Sequence, residues 1–562
     1  MDDCRFIRDY LSTLREDSEL DYIFPILLSA MNFQVLSTPK NSKGQSQYGK
    51  DVVAIGICPE DGIKYCWCFE LKGGDAKNIN NNNFLIQDGI RESLLEAKDL
   101  DFQDFCIPNL DKLPRKYVIV HNGVIKEDTR RLFDSFARKE FNSGELERWD
   151  IDKLTSLFSS YLFNESLLAD EQCYLLLKRI LVLLDSPGWE TRDVDSLTNL
   201  LLKKCASPIR HSKRVFQNVM SSLNLVLCLI YKYCEECENY LPAKNSSDRV
   251  ILLTWKWILQ NHLENSKEVE LLFGNLVYTQ SYIYNLYFSK TLPLAVKFKG
   301  LYIPRGGEVE QICYPLRCYD YMNSLIYFYI MCDYFLPRSR IIISEKDQMA
   351  TIISILEHNS GFEMALEDSA SVGILFILWF VNTNKRTEKM EEIIVHWLQK
   401  IVINMVYTHH DKGLFPELRG SRNAIAESLY QKSVNYVDSS SLLILILFEI
   451  IAWLGDDNLY KMLYEEVKNA DVNLQIAYPI DSESLEANMY DHRLDEELSV
   501  EIGVNLPPTL QEFSQTFVKH YDHIPLVTEK TKFWFVDFLA HIHYRTDWFP
   551  DFINFGFLRP MK

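Results

Sequence analysis

Along residues 64–72, apolar and polar side chains alternate strictly. Tyr65, Trp67, Phe69 and Leu71 fall on one set of positions, and Cys66, Cys68, Glu70 and Lys72 on the other. A period of two is that of a β-strand, so each set occupies one face. A second strand is expected over 51–57, and Pro59-Glu60-Asp61-Gly62 between the two is a turn signature. Upstream, residues 5–31 have helical spacing through Ile23, Phe24, Ile26, Leu27 and Ala30, with a kink or a helix restart expected at Pro25. Residues 33–36 are short and extended. Downstream, a helix is expected over 84–99, a strand over 117–121 and a helix over 127–141. A β–β–α–β–α order with short connections predicts a central mixed sheet flanked by helices.

From about residue 163 the rhythm changes to a helical period almost throughout. Clear stretches cover 175–184, 215–233, 250–263, 321–335, 391–406 and 440–454. Breaks fall at Ser186-Pro187-Gly188, Pro242, 304–307, 358–361, 409–416 and Pro507-Pro508. The pattern therefore divides the chain into an α/β domain over 1–162 and a large all-α region over 163–562, with a sub-boundary near 290–310. No repeat of fixed period is present, which argues against a regular solenoid.

Composition sharpens this picture. Of 562 residues, 47% are apolar and 13% aromatic, enough for a sizeable core and against disorder. The 13 cysteines are scattered and odd in number, unlike a disulfide framework. The longest apolar runs, 373–381 and 442–448, are short of the ~20 residues of a membrane-spanning helix. A cytoplasmic protein without membrane contact is the expectation. The net charge of −19 gives no broad surface for nucleic acid, so any basic contact must be local. A GxxxxGK[ST] phosphate loop is missing, which excludes that class of ATPase module.

The candidate chemistry lies on the two strands. Asp51 opens the first, and Glu70 and Lys72 share a face of the second. Two carboxylates on neighbouring strands suit a hard divalent cation. A lysine beside them can orient or help deprotonate water and offset charge on a transferring phosphoryl group. The plain alternative is a charged strand surface that guards against aggregation.

Gln47-Tyr48-Gly49-Lys50-Asp51-Val52-Val53-Ala54, followed by Cys68-Phe69-Glu70-Leu71-Lys72, resembles the PD-(D/E)xK nuclease superfamily, and within it the Mrr-type restriction endonuclease domains. Leu27-Leu28-Ser29-Ala30-Met31-Asn32-Phe33-Gln34-Val35 is similar to the family's first helix and following turn. Tyr117-Val118-Ile119-Val120-His121-Asn122-Gly123, with 128–133, resembles its later strand, turn and helix, and Arg148-Trp149-Asp150-Ile151-Asp152-Lys153-Leu154 its closing strand and helix. These matches run in the family's order over about residues 15–160. The resemblance implies a restriction-endonuclease-like fold and an Mg²⁺- or Mn²⁺-dependent deoxyribonuclease. Asp51 and Glu70 would bind metal and Lys72 would be the catalytic lysine. The acid that the family carries on its first helix would be Asp21, with Glu19 as its rival. Lys50 stands where the superfamily's motif has proline. Gln87 would either face the site or lie on an exposed helix surface.

Other groups have weaker claims. Lys203, Lys204, Arg210, Lys213 and Arg214 form a basic stretch that would grip a phosphate backbone, or else a solvated helix junction. Cys234 and Cys237 have CxxC spacing without a second pair, and Cys66 and Cys68 are soft ligands unsuited to Mg²⁺. His409, His410 and Asp411, with Arg419 and Arg422, read as a loop able to bind an anion. His520, His523, His541 and His543 read as packing residues.

The sequence thus points to a DNA endonuclease domain with a helical region that regulates it, senses a protein or small-molecule trigger, or drives assembly into a homodimer or higher oligomer. By analogy of architecture, such a protein acts in bacterial defence against foreign DNA. The alternatives are an inactive nuclease fold that binds nucleic acid, and a helical scaffold or sensor with an accessory N-terminal domain.

Overall fold

The structure is a computed structural model. It describes residues 3–39, 49–162 apart from 59, 88, 101 and 104–106, 168–205 apart from 169 and 187, 213–335, 345–413 apart from 385, residue 415, 440–479 apart from 442 and 471, 499–521 and 533–544. The chain forms two compact units, Met1–Val250 and Ile251–Lys562.

A five-stranded mixed sheet organises the first unit. Its strands are β1 (Gln34–Ser37), β2 (Val52–Ile57), β3 (Lys64–Lys72), β4 (Arg115–His121) and β5 (Leu146–Trp149), side by side in chain order. β1, β2 and β3 pair antiparallel, and β3, β4 and β5 pair parallel. The helices are α1 (Asp3–Leu11), α2 (Asp21–Ala30), α3 (Asn81–Leu85), α4 (Ile90–Asp99), α5 (Glu127–Glu140) and α6 (Ile151–Tyr161). The expected mixed sheet flanked by helices is present.

The alternation along β3 is used on both faces. Trp67 and Phe69 pack against Trp149 with ring centres 6.0 and 5.4 Å away, and Phe69 meets Phe24 of α2 at 5.1 Å. On the opposite face Cys68 joins Tyr117, Ile119 and the inward side chains of α3, α4 and α5, among them Phe84, Leu94 and Phe133. Burying a large apolar side chain contributes roughly 1.5–3 kcal/mol, so this double burial fixes the register of β3 and with it the positions of Glu70 and Lys72.

Two expected helices are interrupted. Residues 5–31 form α1 and α2, and the break falls at 12–20 rather than at Pro25. There Asp17 is extended and Ser18 left-handed at φ +67°. Residues 84–99 are split as well, and Asn80 caps α3 through a capping box with Asn83. Beyond residue 162 the first unit continues through α7 (Glu171–Leu183), α8 (Arg192–Leu202) and α9 (Lys213–Glu236), with α9 packed on α1. Residues 215–236 of α9 are long and apolar enough to cross a membrane, and most of that stretch is buried within the protein.

The second unit is mostly helical. Ala370–Thr383 and Leu443–Leu454 are apolar all round and buried, as helices at the centre of a core are. The unit also holds a three-stranded sheet of β6 (Ser440–Ser441), β7 (Asn473–Pro479) and β8 (Ser499–Val504), in that order. The large helical region is present as expected, with this small sheet set within it. β7 and β8 span only seven and six residues and pair with each other across a long sequence gap.

Candidate active site

β2 and β3 pair with Val52 opposite Phe69 and Val53 opposite Cys68. One position further on, Asp51 comes level with Glu70, and residues level with each other share a face. Asp51 Oδ2 accepts the Leu71 N–H at 2.7 Å, which ties the carboxylate across the end of the strand pair. Gly49, at φ +68°, lies so close to α4 that a Cβ there would sit 1.9 Å from the Ser93 carbonyl oxygen. The approach to Asp51 is thus pinned from below, and Lys50 turns away to donate to the Leu100 carbonyl.

Glu70 is only 5% exposed. Its Oε1 accepts from Ser93 Oγ at 3.0 Å and faces Lys72 Nζ at 2.9 Å. Lys72 Nζ also meets Glu16 Oε1 at 3.3 Å and the Leu71 carbonyl at 2.8 Å. An ammonium has three protons, and Lys72 has three acceptors around it. Burial and the neighbouring charge of Glu70 push the Asp51 carboxyl up to about 7, against the lowering pull of Lys72 and the Leu71 N–H. Burial draws Lys72 down, but Glu70, Glu16 and Asp51 outweigh it and hold the ammonium above the usual lysine range. Glu16 is raised, chiefly by burial. Three carboxylates thus surround one cation, and the surplus negative charge is felt at Asp51.

Glu16 is the site residue that sequence reasoning missed. It lies in the break before α2, where left-handed Ser18 turns the chain back towards the end of β3. Gly73 makes the approach feasible, because a Cβ there would lie 2.5 Å from the Glu16 nitrogen. The Gly73 N–H also points to Glu16 Oε2 at 3.4 Å. The signal in the sequence is the Gly73-Gly74 pair directly after Glu70-Leu71-Lys72, which marks a place where another backbone comes close. Asp21 and Glu19 are held elsewhere. Burial raises the Asp21 carboxyl, Asp17 adds to that, and its Oδ1 is buried without a hydrogen bond. Glu19 accepts the Arg15 N–H at 2.6 Å.

His121 of β4, level with Lys72, was not singled out from sequence either. It is fully buried, with Nδ1 3.1 Å from the Lys77 carbonyl and Nε2 without a hydrogen bond. Burial lowers it to about 4, so the ring is neutral near pH 7.

The donor set suits a hard divalent ion. Asp51, Glu70 and Glu16 supply carboxylate oxygens only, and their surplus charge is what such an ion would neutralise. Among the described residues, the one group with three ligand atoms within 4.8 Å of each other is a different one, Cys58, Glu60 and Glu147. That group already holds a cation, since Lys116 Nζ pairs with Glu147 and lies 3.5 Å from Cys58 Sγ.

The remaining candidates are dispersed. Lys203 is exposed just after α8, and Lys204 Nζ pairs with Asp170 at 2.9 Å. Arg210 lies outside the described residues, and Lys213 and Arg214 open α9 with side chains outside them. Gln87 is exposed between α3 and α4. Cys66 and Cys68 are buried, and hydrogen bonding to Cys66 with burial keeps the Cys68 thiol well above its usual range. Cys234 is buried and Cys237 exposed. His409 and His410 lie in the last turns of the helix Glu388–Lys412, not in a loop, and Gly413 ends that helix in the left-handed region. Both histidines face Glu466, at 2.6 and 3.5 Å, while Asp411 is exposed. Arg419, Arg422 and His523 lie outside the described residues, as does the side chain of His520. His541 is buried 3.7 Å from Asp537, and His543 is exposed.

No family model, curated protein or solved structure matches the chain.

Proposed function

We propose that the first unit is a metal-dependent endonuclease of the PD-(D/E)xK kind, hydrolysing DNA phosphodiester bonds with Mg²⁺ or Mn²⁺. One observation carries the reading. Asp51 stands level with Glu70, Lys72 lies on the same face 2.9 Å from Glu70, and burial together with the charge of Glu70 lifts Asp51 to about 7. A solvated surface pattern would not bury Glu70 or crowd three carboxylates on one ammonium. In this reading Asp51 and Glu70 hold the ion, with Glu16 as the third acid. The bound metal would polarise the phosphate and lower the pKa of an attacking water. Lys72 orients that water and offsets charge on the phosphate oxygens. Ser93 fixes the Glu70 carboxylate through its hydroxyl.

Lys72 gives its three protons to Glu70, Glu16 and Leu71, and an ion held by the two carboxylates would free it to meet substrate. The helical part is the proposed seat of regulation, and by analogy of architecture the protein acts in defence against foreign DNA.

The test is nicking of supercoiled plasmid in Mg²⁺ or Mn²⁺. Wild-type protein is expected to cut, and Lys72→Ala and Asp51→Asn each to lose about 10²–10³-fold in rate. Cleavage that survives Lys72→Ala overturns the assignment of the site. DNA binding without cleavage in any divalent metal supports an inactive nuclease fold instead.

A further inference from the structure

Residues 271–307 carry Lys290, Lys297, Lys299 and Arg305 and not one Asp or Glu, in a chain with 78 acids. They form most of the helix Lys267–Ala295 and the turns that follow it. At the end of this stretch apolar side chains face outward: Phe298 is 75% exposed, Leu294 57%, Ile303 48% and Tyr302 36%. Lys297, Lys299 and Arg305 are exposed among them. Lys299 Nζ lies 5.7 Å from the centre of the Phe298 ring and 5.8 Å from that of Tyr302.

The backbone beneath these side chains is fixed from inside. The Lys299 N–H donates to the His358 carbonyl at 2.8 Å, the Leu301 N–H to Asn359 Oδ1 at 3.0 Å, and the Ile303 N–H to Glu310 Oε1 at 2.7 Å. Arg317 pairs with Glu310 and donates to the Leu301 carbonyl at 2.7 Å. Asn359 is fully buried, and Lys299 is held at φ +51°. The turn is thus presented rigidly, with its rings outward, where a soluble surface gains nothing from them.

We propose that this turn binds single-stranded nucleic acid, with a base stacked on Phe298 and phosphates beside Lys297, Lys299 and Arg305. Rings interleaved with cations are the usual platform for an unpaired strand, whose bases offer flat faces and whose backbone offers charge. An anionic membrane also attracts basic and aromatic groups. It fits less well, because the Lys299 ammonium lies close to both rings and would be drawn with them towards hydrocarbon. A nucleotide serves both, with a base for the ring and a phosphate for the ammonium. The inference deepens the nuclease reading and rests on it only for the choice of polyanion.

The experiment uses the full chain carrying Lys72→Ala, in EDTA, with a fluorescent oligothymidylate of about 20 nucleotides read by anisotropy. Adding Phe298→Ala is expected to weaken binding about tenfold or more without shifting the melting temperature. The pair Lys297→Gln and Arg305→Gln is expected to reduce the slope of log affinity against log salt by roughly 1.4. Equal binding with and without Phe298 overturns the proposal, and so does an absence of saturable binding. Binding to phosphatidylserine vesicles that depends on Phe298, without binding to the oligonucleotide, overturns it in favour of a membrane. Failure of the wild-type chain to cut plasmid in any divalent metal, with oligonucleotide binding retained, removes the nuclease reading and leaves this one standing.

Discussion

Lys72 and Asp51 make opposite demands at one spot. The lysine is held charged by three carboxylates, while Asp51 is pushed towards its neutral form. A raised carboxyl pKa means that the folded protein binds a proton which the unfolded chain releases, between about pH 4 and about pH 7. Asp51 therefore lowers stability as pH rises through that window, and the full penalty is present above pH 7. Asp51→Asn removes it. In EDTA at pH 8 the variant is expected to melt roughly 2–4 °C above wild type, with the gap closing by pH 4. Differential scanning fluorimetry reads this, and a variant that melts lower at pH 8 contradicts the charge surplus. Metal affinity has the reverse sign, since the ion displaces the proton, so affinity and cleavage should rise with pH through about 7. His121, lowered to about 4, cannot supply that inflection.

At the scale of elements, the site depends on how the break before α2 meets the end of β3. Gly73 permits that contact, so Gly73→Ala should force the two backbones apart. Overpacking of this kind typically costs about 1–3 kcal/mol. The expected result is a lower melting temperature with a loss of cleavage similar to that of Glu16→Gln. A Gly73→Ala protein that cuts and melts like wild type shows that Glu16 is not needed where it stands. The same contact explains what was legible. β3 could be read because its alternation is enforced by two cores, Trp67 and Phe69 on one side and Cys68 on the other. Asp51, Glu70 and Lys72 came with it. The third acid could not be read, because residues 5–31 look like one helix. Its position is set by left-handed Ser18 and the glycine at 73, which contribute nothing to apolar periodicity. β7 and β8 were hidden for a related reason, since they pair across a long sequence gap within a region whose rhythm is helical.

For the whole molecule, charge is the governing quantity. At −19 the chain repels a polyanion except where cations gather. Of the basic stretch expected near 203–214, Lys204 is paired with Asp170, and Arg210 and the side chains of Lys213 and Arg214 lie outside the described residues. In the proposed reading a divalent ion would do double duty, neutralising the site and lowering repulsion of DNA. Binding to the folded state stabilises it by mass action. Mg²⁺ or Mn²⁺ should thus raise the melting temperature of wild-type protein more at pH 8 than at pH 6, and should not raise that of Asp51→Asn. Equal shifts in both proteins place the ion elsewhere, with Cys58, Glu60 and Glu147 the next group to test.

The most direct measurement of the central claim, that Asp51 and Glu70 hold a divalent ion beside Lys72, is a Mn²⁺ titration followed by electron paramagnetic resonance at pH 8. Wild-type protein should remove free Mn²⁺ from the spectrum at one strong site, and Glu70→Gln should abolish that site while the protein stays folded. Strong Mn²⁺ binding unchanged by Glu70→Gln, or no strong binding by wild type, contradicts the account.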